Sequence, residues 1–159
     1  MIDPALLSGI IKISILLLIQ YASGCLVYYK GVKVNYTRKI NHFALFFIPL
    51  FIDIILPVQP SIDLMIIGSF VAVAGLTIYI KRIRCNSRII QRMFLSFDRP
   101  EDRPNTLLWL STQITAGYLI LLPIIIYFYS IGYSNLILIP ILVNGIGDGL
   151  AEQIGRAHV

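Results

Sequence analysis

Five nearly unbroken apolar runs decide what this chain can become: Leu6 to Tyr28, Phe43 to Leu56, Leu64 to Ile80, Leu107 to Tyr129, and Leu136 to Val143 with its continuation to Asp148. A helix needs about 20 apolar residues to cross the hydrocarbon core of a bilayer, so 159 residues leave room for about five crossings and their connections. Composition agrees: 57% of residues are hydrophobic, 13% are charged and the mean hydropathy is +0.82, whereas about a quarter of an ordinary soluble domain is charged. The expected fold is all-α, a polytopic transmembrane helical bundle of about five spans, with residues 1–153 forming one integral membrane domain and no soluble appendage.

The runs differ in quality. Only Lys12 and Gln20 interrupt the first; Lys12 lies close to its start, where the stem can snorkel to the interface, and Tyr28 and Tyr29 form an aromatic belt at its far end. Met1-Ile2-Asp3-Pro4 supplies no basic leader and no small-residue cleavage site, so this run reads as a retained span. A basic connector, Lys30 to His42, follows. The second run is short and holds Pro49 and Asp53, which makes it either a kinked span borrowing the preceding turn or a re-entrant segment. The third carries Gly68, Ala72 and Gly75, small residues suited to close helix packing. Between Lys81 and Asn105 the chain is polar, yet Ile89, Ile90, Met93, Phe94 and Phe97 recur at helical spacing among arginines, predicting an amphipathic helix on the membrane surface. The fourth run is long enough to span with tilt, and its polar residues Ser111, Thr112, Gln113 and Thr115 all fall in its first third. Cys25 and Cys85 form neither a disulfide framework nor a metal-binding spacing.

Charge sets an expected orientation. Lys30, Lys33, Arg38 and Lys39 follow the first run, and Lys81, Arg82, Arg84, Arg88, Arg92, Arg99 and Arg103 follow the third, so eleven of the thirteen basic residues share one side if all five runs cross. The positive-inside rule makes that side cytoplasmic and puts the N-terminus outside; the fifth run then delivers Asp148 to the cytoplasmic side as well. Anionic lipid headgroups suffice to attract such loops, and no nucleic-acid motif accompanies the net charge of +5.

Chemistry concentrates in two places. In Val143-Asn144-Gly145-Ile146-Gly147-Asp148-Gly149-Leu150-Ala151-Glu152, a continuing helix puts Asn144, Asp148 and Glu152 on one face at i, i+4 and i+8. Carboxylates at the end of a membrane helix normally face a cavity, a partner or a metal. Their hard oxygens suit Mg²⁺ together with substrate phosphates, and Asp148 and Glu152 are the candidate ligands. Gly145 and Gly149 are equally a small-xxx-small packing pair, so the segment alone does not separate a site from a packing face. Near the head of the second run, Arg38-Lys39-Ile40-Asn41-His42 groups a planar guanidinium fork, a mobile ammonium and an imidazole, which suits phosphate recognition beside a proton acceptor.

Arg38-Lys39-x-x-His42 followed, several runs later, by Gly147-Asp148-Gly149-x-Ala151 resembles the CTP-dependent polyprenol kinases, a family that includes dolichol kinase, phytol kinase and CTP-using diacylglycerol kinases and is related to the phosphatidate cytidylyltransferases. The resemblance runs from about Tyr36 to Glu152. It implies phosphoryl transfer from CTP to the hydroxyl of a membrane lipid alcohol with a divalent cation. Asp148 is then the metal-linked acid, His42 a candidate proton acceptor, and Arg38, Lys39, Asn144, Gly147 and Gly149 the nucleotide- and phosphate-facing set. The partners expected are the lipid alcohol, CTP and membrane lipids, and no nucleic acid. A CDP-lipid-forming cytidylyltransferase and a non-catalytic small membrane protein are the alternatives.

Family members usually continue beyond the Gly-Asp-Gly helix, which would make this chain the N-terminal part of a larger kinase domain. Its closing residues Ile154 to Val159 also match one reading frame of a common sequencing adapter, so the genuine sequence is expected to end near Gln153 and His158 is not expected to be a ligand.

Overall fold

The computed structural model describes residues 3–58 and 62–148 of the 159-residue chain, and these residues form helices and turns without a strand. Asp3 opens α1 (Pro4–Lys30): its carboxylate accepts the Ala5 N–H at 2.9 Å, and Pro4 brings a preset φ to the first turn. Gly31 closes α1 at φ 61°, the left-handed conformation in which its N–H reaches the Val27 carbonyl. Only three residues separate α1 from α2 (Val34–Ile55), so the two pack as an antiparallel hairpin.

The short connector corrects the sequence expectation, in which everything from Lys30 to His42 links two runs. Residues 34–42 are already helical because Thr37, Asn41 and Ala44 recur at helical spacing and are buried. Two of the three are polar, so this inward face carries no apolar signal. The second run does borrow the preceding turns, and α2 runs unbroken through Pro49. Lys12 pairs with Asp53 across the hairpin.

The third run folds as α3 (Ile62–Gly75), continued by a 3₁₀ turn, Leu76–Tyr79. After α4 (Lys81–Arg84) comes α5 (Arg88–Leu95), the expected amphipathic helix, but protein covers Met93 and Phe94 on its apolar side while Ile89 stays exposed. Met93 and Phe94 are buried with Tyr79 and Phe97, flanked by Tyr21 of α1 and Leu107 and Leu110 of α6 (Thr106–Ser130). α5 seats directly on α1 at Gly24: a β-carbon there would fall inside the van der Waals radius of the Arg92 carbonyl oxygen and 3.1 Å from the Met93 nitrogen. The seat is tied at its rim by Arg92, whose guanidinium lies about 5 Å from the Tyr28 and Tyr29 rings and donates to the Tyr21 hydroxyl at 3.3 Å.

The fifth run departs from the single helix expected of it. A 3₁₀ turn, Ser134–Ile137, leads into α7 (Leu138–Leu142), and the backbone then widens into a π segment, Val143–Asp148. Asn144 supplies a physical reason: its side-chain amide donates to the Pro140 carbonyl at 2.8 Å, occupying the acceptor that an α-helix would reserve for the Asn144 N–H.

Among the described residues three helices are long and apolar enough to cross a membrane: Pro4–Lys30, Ile62–Tyr79 and Thr106–Ser130. They are compatible with a membrane protein. α2 is long enough at 22 residues but polar over its first turns, and the apolar stretch Asn135–Gly147 covers only about 20 Å against a core of about 30 Å.

Candidate functional site

α2 carries two faces with different work. On the first, Thr37 Oγ1 donates to the Ser96 carbonyl at 3.0 Å and Asn41 Nδ2 donates to Ser96 Oγ at 2.8 Å, while Ser96 Oγ donates to the Met93 carbonyl. Thr37 and Ser96 have no exposed surface. This hub locks the rotation of α2 against the end of α5. Ser96→Ala strands the Asn41 amide in a buried site and is expected to lower stability by about 1–3 kcal/mol in a detergent denaturation experiment.

One residue further round the helix, Arg38 and His42 lie one turn apart on the second face. Arg38 is a fork with both prongs engaged: Nη1 donates to Asp102 Oδ2 at 2.8 Å and Nη2 to Gln113 Oε1 at 2.9 Å. Asp102 also receives Arg99, through Nε at 2.9 Å and Nη2 at 3.1 Å. The Arg99 hydrogen bond, helped by the charge of Arg38, holds the Asp102 carboxyl below the usual carboxylate range. A carboxylate whose folded value is depressed stabilises the fold above its unfolded value and loses that contribution as pH falls through the folded one. Acid titration monitored by Trp109 fluorescence should therefore show a loss of stability at the acid limb that Asp102→Asn flattens. A second pair of contacts, Arg103 Nε and Thr106 Oγ1 to the two oxygens of Asp98, closes the same loop onto the start of α6.

His42 reaches the other end of the chain. Its Nε2 lies 3.1 Å from the Asn144 carbonyl oxygen, and since a carbonyl only accepts, Nε2 is the donor in this contact. Gly145 makes the approach possible: it is buried, and a β-carbon on it would sit 3.3 Å from Phe46 Cβ and 3.5 Å from Phe47 Cε2. Gly145 is thus a packing glycine in the π segment, whereas Gly147 has open space around it.

Of the residues singled out in the sequence, the structure brings Arg38, His42 and Asn144 to neighbouring positions, with Lys39 half-buried on the same turns of α2. The backbone of Asp148 ends the π segment; its side chain, Gly149, Glu152 and residues 154–159 lie outside the described residues. Among the described residues no three His, Cys, Asp or Glu side chains group as a metal site would require. Alternating charges from Asp98 to Arg103 suggest either a rigid loop over a nucleotide or a self-paired loop, and that stretch does pair within itself; Asp102 and Gln113 as partners of Arg38, and Ser96 as partner of Asn41, were not foreseen. The i, i+3 spacing of Arg99 and Asp102 and the polar start of the fourth run were the available signals. No family model matches the chain, and neither does any characterised protein or solved structure.

Proposed function

We propose that this chain belongs to a membrane-embedded phosphotransferase that moves the γ-phosphoryl group of CTP to the hydroxyl of a lipid alcohol of the polyprenol, phytol or diacylglycerol type. The observation that carries the reading is the 3.1 Å contact between His42 and the Asn144 carbonyl, because it joins the Arg-Lys-x-x-His stretch to the strand of sequence leading into Gly147-Asp148-Gly149. In this reading α2 and residues 134–148 complete about five crossings, the N-terminus is outside, and the basic segments and Asp148 face the cytoplasm, where nucleotides are available. The hydroxyl oxygen attacks the γ-phosphorus, the bond to the β-phosphate oxygen breaks, CDP leaves, and the hydroxyl proton passes to the imidazole of His42 as the candidate acceptor. Arg38 and Lys39 neutralise phosphate charge. Asp148 and Glu152 would hold Mg²⁺, which supplies further charge neutralisation when bound.

The chain reconstituted in lipid vesicles with each alcohol, or with phosphatidate, and labelled CTP tests this directly. Label from the γ-position reaching lipid identifies the kinase. Label from the α-position with release of pyrophosphate identifies a cytidylyltransferase, and neither identifies a non-catalytic protein or an inactive fragment of a catalytic one. Sidedness has its own reporter in Cys85, which is exposed within the basic segment: a membrane-impermeant maleimide should modify it in inside-out vesicles and spare it in right-side-out ones.

A further inference from the structure

Two guanidiniums, those of Arg38 and Arg99, converge on the single carboxylate of Asp102, beside a shallow crevice lined by Arg38, Phe97, Asp102, Thr106, Trp109 and Leu110. We infer that this is a phosphate-binding site whose built-in occupant is Asp102, displaced when a phosphate group enters between the two arginines. Paired forks with parallel N–H donors suit phosphate at least as well as carboxylate, and a phosphate has three oxygens to offer the two guanidiniums where Asp102 has two. The occupant is tethered on a short segment: a 3₁₀ turn, Pro100–Asp102, folds the carboxylate back onto Arg99 three residues earlier. The arginines are thereby kept oriented when no phosphate is present. Gln113 holds the second prong of Arg38 independently of Asp102, so Arg38 keeps its aim when the carboxylate leaves. That the entering phosphate belongs to the triphosphate tail of a nucleotide rests on the proposed phosphotransferase reading; a lipid phosphate headgroup offers the same chemistry.

Trp109 is the chain's single tryptophan and lines the crevice, so its fluorescence reports occupancy. The protein in phosphatidylcholine nanodiscs is titrated with inorganic tripolyphosphate. Asp102→Ala should tighten binding by about tenfold or more, the gain expected when a charge-assisted contact no longer has to be broken, and Arg99→Gln should weaken it by a similar factor. Unchanged or weaker binding by Asp102→Ala, or unchanged binding by Arg99→Gln, overturns the inference. Should Asp102→Ala not fold, Asp102→Asn removes the competing charge while keeping an acceptor, and the same tightening is required of it. In nanodiscs containing phosphatidylglycerol, a fluorescence change in Asp102→Ala without added anion, undiminished by tripolyphosphate, assigns the site to lipid headgroups and overturns the nucleotide assignment. Tightened anion binding with no label transfer from CTP sinks the kinase alone, whereas transfer with unaltered anion affinity sinks this site alone.

Discussion

Gly24→Ala should unseat α5 from α1 and cost about 3 kcal/mol, the upper part of the range for overpacking, because the atom it meets is backbone and cannot rotate away. The loss should spread: α5 leads into Ser96, Ser96 holds Thr37 and Asn41, and the head of α2 carries Arg38 and His42. Detergent-denaturation midpoints followed by Trp109 fluorescence measure the effect. Gly9→Ala on the same helix is the control, since no atom lies within 4 Å of its added carbon; by helix propensity it should gain up to about 1 kcal/mol. If both substitutions behave alike, the close approach of the two backbones is not what seats α5.

Asp148→Asn should reduce γ-phosphoryl transfer by about 10³-fold while leaving membrane insertion intact. The amide is nearly isosteric with the carboxylate but carries no charge with which, on the proposed reading, to hold a cation or balance Arg38 and Lys39. Transfer is read from γ-labelled CTP and insertion from maleimide accessibility of Cys85. Activity close to the parent's would remove Asp148 from the chemistry and move the case towards a purely packing role for the glycine-spaced segment, a role that Gly145 already fills against Phe46.

The apolar spans were readable from the chain because a long helix in lipid advertises itself by hydropathy alone: α1, the Ile62–Tyr79 helix and α6 fall where the runs lie. The head of α2 was not readable, since its inward face is built from Thr37 and Asn41, whose burial is compensated by hydrogen bonds to Ser96 59 and 55 residues away. The spacing of Met93, Phe94 and Phe97 announced α5 correctly. Its partner was hidden, because an apolar stripe flanked by arginines suits a bilayer surface and a protein groove equally well, and only Gly24 distinguishes them. Local sequence likewise shows that Arg38 suits a phosphate and is silent on Asp102, which reaches it from 64 residues on. The π segment follows from a side chain competing with its own backbone at Asn144, and helical periodicity does not record such competition.

The ion pair between Lys12 and Asp53 has a meaning for biogenesis. During synthesis the ammonium of α1 emerges 41 residues before its counter-ion, so the first helix meets the insertion machinery carrying an unmatched charge and the second arrives carrying the opposite one. Each is costly to release alone into lipid, and together they are close to neutral. On the proposed reading of about five crossings, the hairpin is therefore the natural unit of entry into the membrane, and its birth order is written into two side chains.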